Sequence, residues 1–119
     1  MYKMVDKKKL KEQYRNTKPE MGVCIVKSNS SNTCLVQESK DLKSTMNRIR
    51  FQLDLGSLSN RELQAAWKRD GASAFTIEVL EILPYDEDES KVDYREELEI
   101  LKVIWEERLA DSGMEFYRR

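Results

Sequence analysis

Residues Met21–Ser39 read MGVCIVKSNSSNTCLVQES. Two short apolar runs, Val23–Val26 and Cys34–Val36, flank the polar stretch Ser28–Asn32. Apolar runs of this length on either side of a Ser/Asn-rich break predict a β-hairpin. A turn about Ser30–Ser31 sets Cys24 opposite Gln37, Cys34 opposite Lys27 and Leu35 opposite Val26. The two cysteines are then three positions out of register, about 10 Å at roughly 3.3 Å per residue. That exceeds the roughly 7 Å Cα limit for a disulfide, so both thiols are expected to be reduced.

Outward from the hairpin, the pattern changes to a period of 3.6. Leu42, Met46, Ile49 and Leu53 fall at i, i+4, i+7 and i+11, which predicts a helix over 40–53 with Asp41 as N-cap and Gly56 past its end. A second helix follows over 60–70, with Ser59 and Glu62 at capping-box spacing and Gly71 as its stop. Phe75–Ile82 alternates Phe75, Ile77 and Val79 against Thr76, Glu78 and Leu80, as a strand does. The acidic run DEDES after Pro84-Tyr85 lacks the glycine and glutamate spacing of a calcium loop and reads as a solvated connection. A last helix runs over 93–109 with Leu98, Leu101, Trp105 and Leu109 on its apolar face, Asp93 and Glu96 at capping spacing, and Gly113 at its end. Upstream, residues 6–15 (DKKKLKEQYR) read as a basic helix with Leu10 and Tyr14 at i,i+4. The expected architecture is one α+β domain over 1–119. It combines that N-terminal helix, a core over about 21–110 and a short aromatic tail. Its small three-stranded antiparallel sheet, the hairpin plus one later strand, packs with helices on one side.

Composition bounds the class. The 119 residues are 36% charged and 39% hydrophobic, with no histidine and two cysteines. No Cys/His metal cluster can be built from that set. No apolar run approaches the roughly 20 residues a bilayer requires, and no secretory h-region follows the basic start, so no membrane partner and a cytoplasmic location are expected. The net charge of −1 hides an imbalance: residues 1–50 carry 12 Lys and Arg against 5 Asp and Glu, the remainder 9 against 17. The basic part could contact nucleic acid, or the two halves could neutralise each other on folding.

The residues from Gly22 onward carry a family resemblance. GVCIV, then LVQESKDLK eleven residues on from Cys24, Asn47-Arg48 in the following helix, LQAAWKRDG, FTIEVLEILPYDED and a helix with Trp105 resemble a GIY-YIG nuclease domain over about 21–110. The likeness is first to the small stand-alone bacterial members and is also visible against the phage intron homing nucleases. The resemblance implies a metal-assisted phosphodiester cleavage run by two tyrosines, an arginine, a histidine and a glutamate. By motif spacing these fall on Cys24, Leu35, Thr45, Ile49 and Lys102, and the motif's closing glycine falls on Gln37. All five catalytic types are replaced. Thiol, isobutyl, hydroxyl, sec-butyl and ammonium groups supply neither a metal-binding carboxylate nor a guanidinium for the phosphate. The scaffold positions Gly22, Ser39, Asp41, Asn47, Arg48, Trp67, Glu78 and Trp105 are kept.

Three functions follow as expectations. The first is a nuclease-like module without catalytic residues that binds DNA or RNA weakly and non-specifically through Lys7, Lys8, Lys9, Lys11, Lys40, Lys43, Arg48 and Arg50. The second is a homodimer or protein-interaction module using an apolar former cleft at Cys24, Leu35 and Ile49, with Lys102 at its edge; the alternative is that these side chains plug the cleft as extra core. The third is a relocated metal site on Glu99 or the Glu96-Glu97 pair. No cofactor is expected otherwise, and Mg²⁺ only if cleavage is retained.

Overall fold

The computed structural model describes residues 18–118. The basic helix expected over 6–15, with Lys7, Lys8, Lys9 and Lys11, lies outside the described residues. Strands β1 (Met21–Ser28) and β2 (Thr33–Ser39) form the hairpin, followed by helices α1 (Leu42–Leu55) and α2 (Arg61–Asp70). A single 3₁₀ turn, Ala72–Ala74, leads into β3 (Phe75–Leu83), and α3 (Arg95–Asp111) and the two-residue β4 (Glu115–Phe116) complete the order. No described helix is long and apolar enough to cross a membrane.

The sheet corrects the three-stranded expectation. It has four strands in the order β3-β1-β2-β4, and it is mixed, because β4 pairs parallel to β2 through Thr33 and Cys34. The hairpin register is as read, with Cys24 opposite Gln37, Val26 opposite Leu35 and Lys27 opposite Cys34. β4 escaped notice because two residues carry no periodicity.

The sheet is also covered on both faces rather than one. All six residues from Met21 to Val26 are buried, as expected of a strand whose two faces both meet apolar neighbours. Val23, Ile25, Cys34 and Val36 pack with Leu101, Trp105 and Leu109 of α3. On the other face Val26 packs with Ile49 and Leu53 of α1 and Leu63, Ala66 and Trp67 of α2. Trp67 meets Phe75 with ring centroids 5.2 Å apart. The regular alternation of β3 breaks at Leu80, where Val23 pairs with Glu81 and Cys24 with Val79. This bulge turns two successive residues toward α3: Leu80 packs into its cluster, and Glu81 accepts a 2.9 Å hydrogen bond from Trp105 Nε1.

The helix ends show local chemistry winning over motif spacing. Asp41 caps α1 by accepting from Ser44 N, and Gly56 ends it in the left-handed conformation. The cap of α2 is Asn60 and not Ser59: its Oδ1 accepts from Leu63 N at 3.0 Å. Buried Gln64 closes the α1–α2 turn by donating to Leu53 O and accepting from Leu58 N. Asp93 does not cap α3. It accepts from Arg95 N at 3.0 Å and from the Arg95 guanidinium at 2.8 Å, and Tyr94 stands at the cap position without a side-chain bond. The tail docks: Glu115 N donates to Asn32 O at 2.7 Å and Tyr117 N to Cys34 O at 3.0 Å, while Asn60 Nδ2 donates to Tyr117 O at 3.2 Å.

Candidate functional site

Side chains alternate along a strand, so Leu35 and Gln37 of β2 turn toward α1, and Cys34, Val36 and Glu38 toward α3. The end of β2 is fixed to α1 by Ser39, whose hydroxyl accepts from Asp41 N at 2.9 Å and lies 2.6 Å from the Thr45 hydroxyl. Between β2, α1 and the α1–α2 turn lies a cleft of about 130 Å³. Leu35, Ile49 and Leu58 give it apolar walls; Gln37, Arg48, Gln52, Ser59 and Asn60 supply its polar groups. No carboxylate lines it. Arg48 is exposed and, among the described residues, joins no ion pair. The guanidinium fork of Arg48 is of a kind that can hold an anion, while the amide donors of Gln37 and Asn60 are engaged by Glu38 and by Tyr117 O.

The motif-derived positions do not come together as one open site. Cys24 is fully buried and Ile49 is 4% exposed within the core of α1 and α2. Thr45 is buried and engaged by Ser39. Leu35 is half-buried and packed on the same core. These four lie on the α1 side of the sheet. Lys102 does not: it is 3.6 Å from Glu38 Oε2, on the face that β2 presents to α3. The expectation of Lys102 at the edge of an apolar cleft is therefore corrected, since the sheet stands between them. Burial bears on the contact surface expected through Cys24, Leu35 and Ile49, since Cys24 and Ile49 are core side chains, as the plugged-cleft alternative has it. Two of the three side chains have no surface to offer.

Burial also governs the thiols. Both cysteines are free. Desolvation, with a smaller push from Glu38, raises Cys24 to about 11; desolvation, with Glu106, raises Cys34 to about 11. Neither is a nucleophile at neutral pH.

The expected cations divide. Lys43 and Arg50 lie seven residues apart and so share one flank of α1, while Arg48 is turned about 140° from Lys43 at about 100° per residue. Lys40 lies away from both, on a groove of about 420 Å³ with Glu38, Ser39, Arg95, Leu98 and Glu99. That groove holds the candidate metal ligand Glu99. The two carboxylates there, Glu38 and Glu99, share it with Lys40 and Arg95, and Lys102 already holds Glu38. Glu97 is taken by Lys91. Among the described residues no three His, Cys, Asp or Glu side chains converge on a metal-sized site. A magnesium ion does not fit this donor set, because cations occupy the positions around the carboxylates.

The architecture is shared with solved structures. The catalytic domain of the homing endonuclease I-TevI superposes with a TM-score of 0.63 at 22% identity, covering 82% of this chain and 96% of that one. The chain has a GIY-YIG-like fold. A mutant of the same intron endonuclease domain gives a TM-score of 0.63 at 21% identity over 81% of this chain and 90% of that one. No protein-family model and no curated protein matches the sequence. What the GIY-YIG-like chain adds around its cleft, and motif spacing missed, is the polar set Gln52, Ser59 and Asn60. Its only sequence signal was two consecutive capping residue types after Leu58.

Proposed function

We propose that this GIY-YIG-like domain grips a phosphodiester backbone along α1 without cutting it. The observation that carries the reading is Arg48, which joins no ion pair among the described residues and lies beside a cleft whose lining holds no carboxylate. A phosphate can be held there by charge and hydrogen bonds, but no group is placed to bind a metal or activate a water. The four motif positions on that side supply packing instead of chemistry, and each missing transition-state donor typically costs about 10²–10³ in rate. Lys43 and Arg50 on the other flank add sequence-independent attraction, with dissociation constants of roughly 10⁻⁴–10⁻⁶ M at physiological salt.

The test is binding of a fluorescent duplex and a single strand, titrated over salt, with Arg48→Glu compared against Lys43→Glu/Arg50→Glu. Loss of the Arg48 contact lowers affinity across all sequences and reduces the salt slope by about one. No binding at about 50 mM salt ends the nucleic-acid reading. Cutting that requires magnesium or manganese and vanishes in Glu99→Ala ends the non-cutting part and restores the relocated site.

A further inference from the structure

Phe51 stands on the outside of α1. Its side chain is 64% exposed, whereas every other aromatic side chain among the described residues is buried or half-buried. Trp67 meets Phe75, Tyr85 meets Tyr94, and Trp105 bonds to Glu81. Among the described residues, Phe51 joins no ring pair and belongs to none of the core clusters. Helix propensity does not favour it either, since aromatic side chains lose freedom against the preceding turn. A single exposed apolar side chain is ordinary; the neighbours of this one are not.

At about 100° per residue around α1, Phe51 lies about 60° from Arg48 and about 100° from Arg50, inside the arc that those two enclose. The two basic flanks of α1 therefore share one aromatic ring between them. Arg48, three residues before Phe51, is a surface neighbour at roughly 5–6 Å between Cβ atoms. Leu55, 65% exposed, extends the apolar ground one turn further on. Among the described residues, Lys43, Arg48 and Arg50 join no ion pair. Asp54, four residues after Arg50, is the one carboxylate of this helix. Cations on both sides of a ring match a nucleic-acid strand, with phosphates held by charge and a base laid on the π face. They match a strand without its complement, because in a duplex the neighbouring bases cover each base face and exposing one requires unstacking. Building on the phosphate-gripping role of Arg48, we propose that α1 takes single-stranded nucleic acid, with an unpaired base stacked on Phe51. The flanking phosphates then lie on Arg48 to one side and on Arg50 with Lys43 to the other. Base identity matters little, since every base has a π face.

Fluorescence anisotropy of the full chain at about 50 mM salt tests this, with oligothymidylate and oligouridylate of about twelve nucleotides and a mixed-sequence duplex as probes. Phe51 is exposed, so Phe51→Ala keeps the fold. The variant should bind both single strands at least about fivefold more weakly and the duplex within about twofold of the wild type, at an unchanged salt slope, because the ring carries no charge. A loss confined to one of the two oligomers supports the proposal for DNA or RNA alone. Phe51→Trp should keep single-strand affinity, and oligothymidylate should quench its added indole beyond any quenching of the wild type. No loss in Phe51→Ala, equal loss on strand and duplex, or no added quenching in Phe51→Trp overturns the stacking proposal. Arg48→Glu separates the two readings: if it still weakens binding, the phosphate grip stands without the stacked base. A wild type that binds none of the probes overturns both. A dimer that Phe51→Ala dissolves assigns the ring to a second copy and overturns the proposal.

Discussion

A methyl group on the Cα of Gly22 would stand 2.0 Å from the carbonyl oxygen of Glu81. The two strands approach there because the β3 bulge carries Glu81 across from Val23. The Gly22 φ of 157° adds a conformation that other residues rarely adopt. Gly22→Ala should therefore destabilise the domain by about 3 kcal/mol, combining overpacking with backbone strain. Urea unfolding checks it: the midpoint should fall at unchanged m-value. A shift of less than about 1 kcal/mol would show that β3 can move away.

Ile49 and Leu35 meet in one cleft but differ in burial. Ile49→Ala removes a core side chain and should cost about 3 kcal/mol, while Leu35→Ala should cost about 1 kcal/mol. Ile49→Lys should fail to fold, since an unpaired charge would replace a buried methyl group. Denaturation midpoints decide the order. Equal costs at the two positions would mean that Leu35 is as deeply packed as Ile49.

The cysteines should be silent in the folded protein. An aromatic disulfide reagent at pH 8 should titrate neither thiol before unfolding and both after it. Both thiols rise from an ordinary value of 9.0 to about 11 on burial. A raised folded pKa means that stability is complete below 9.0 and is lost as pH climbs toward about 11. Cys24→Ala should flatten that alkaline decline. Rapid labelling of the native protein would contradict the buried placement.

Asp93 titrates in the opposite sense. Its hydrogen bonds from the Arg95 guanidinium and backbone hold the carboxyl at about 2, below its ordinary 3.8. The stabilisation is therefore present above 3.8 and lost as pH falls toward about 2. The group is solvent-exposed, so screening keeps the effect small. A carboxyl-carbon NMR titration should place the Asp93 midpoint near about 2, and Arg95→Ala should return it to the ordinary range. An ordinary midpoint in the wild type would remove this contact from solution.

Much of the fold was legible because its signals are local. The hairpin register follows from apolar parity about a polar turn, and the α1 and α2 boundaries from periodicity with Asp41, Gly56 and Gly71. The β4 strand and the second covered face were not legible, because a two-residue strand has no period and the side on which α3 crosses the sheet is a tertiary choice. That choice also misplaced Lys102: spacing fixes its helix, not the face of the sheet it meets. The cleft was half legible. Arg48 was among the exposed cations, but its separation from Lys43 and Arg50 needed the helical angle as well as the count. Gln52 and Asn60 join Arg48 only once α2 folds back on α1.

The bulge at Leu80 reaches beyond its local pairing. β3 is the outermost strand of the sheet on that side, where an incoming strand from another molecule could add backbone hydrogen bonds. Self-templated growth of that kind needs evenly spaced donors and acceptors, and a bulge interrupts the spacing midway along the edge. Glu78 and Glu81, one on either side of the interruption, would set like charges beside each other in every added copy. The irregularity that brings Glu81 to Trp105 thus also makes this edge an uneven template for an added strand.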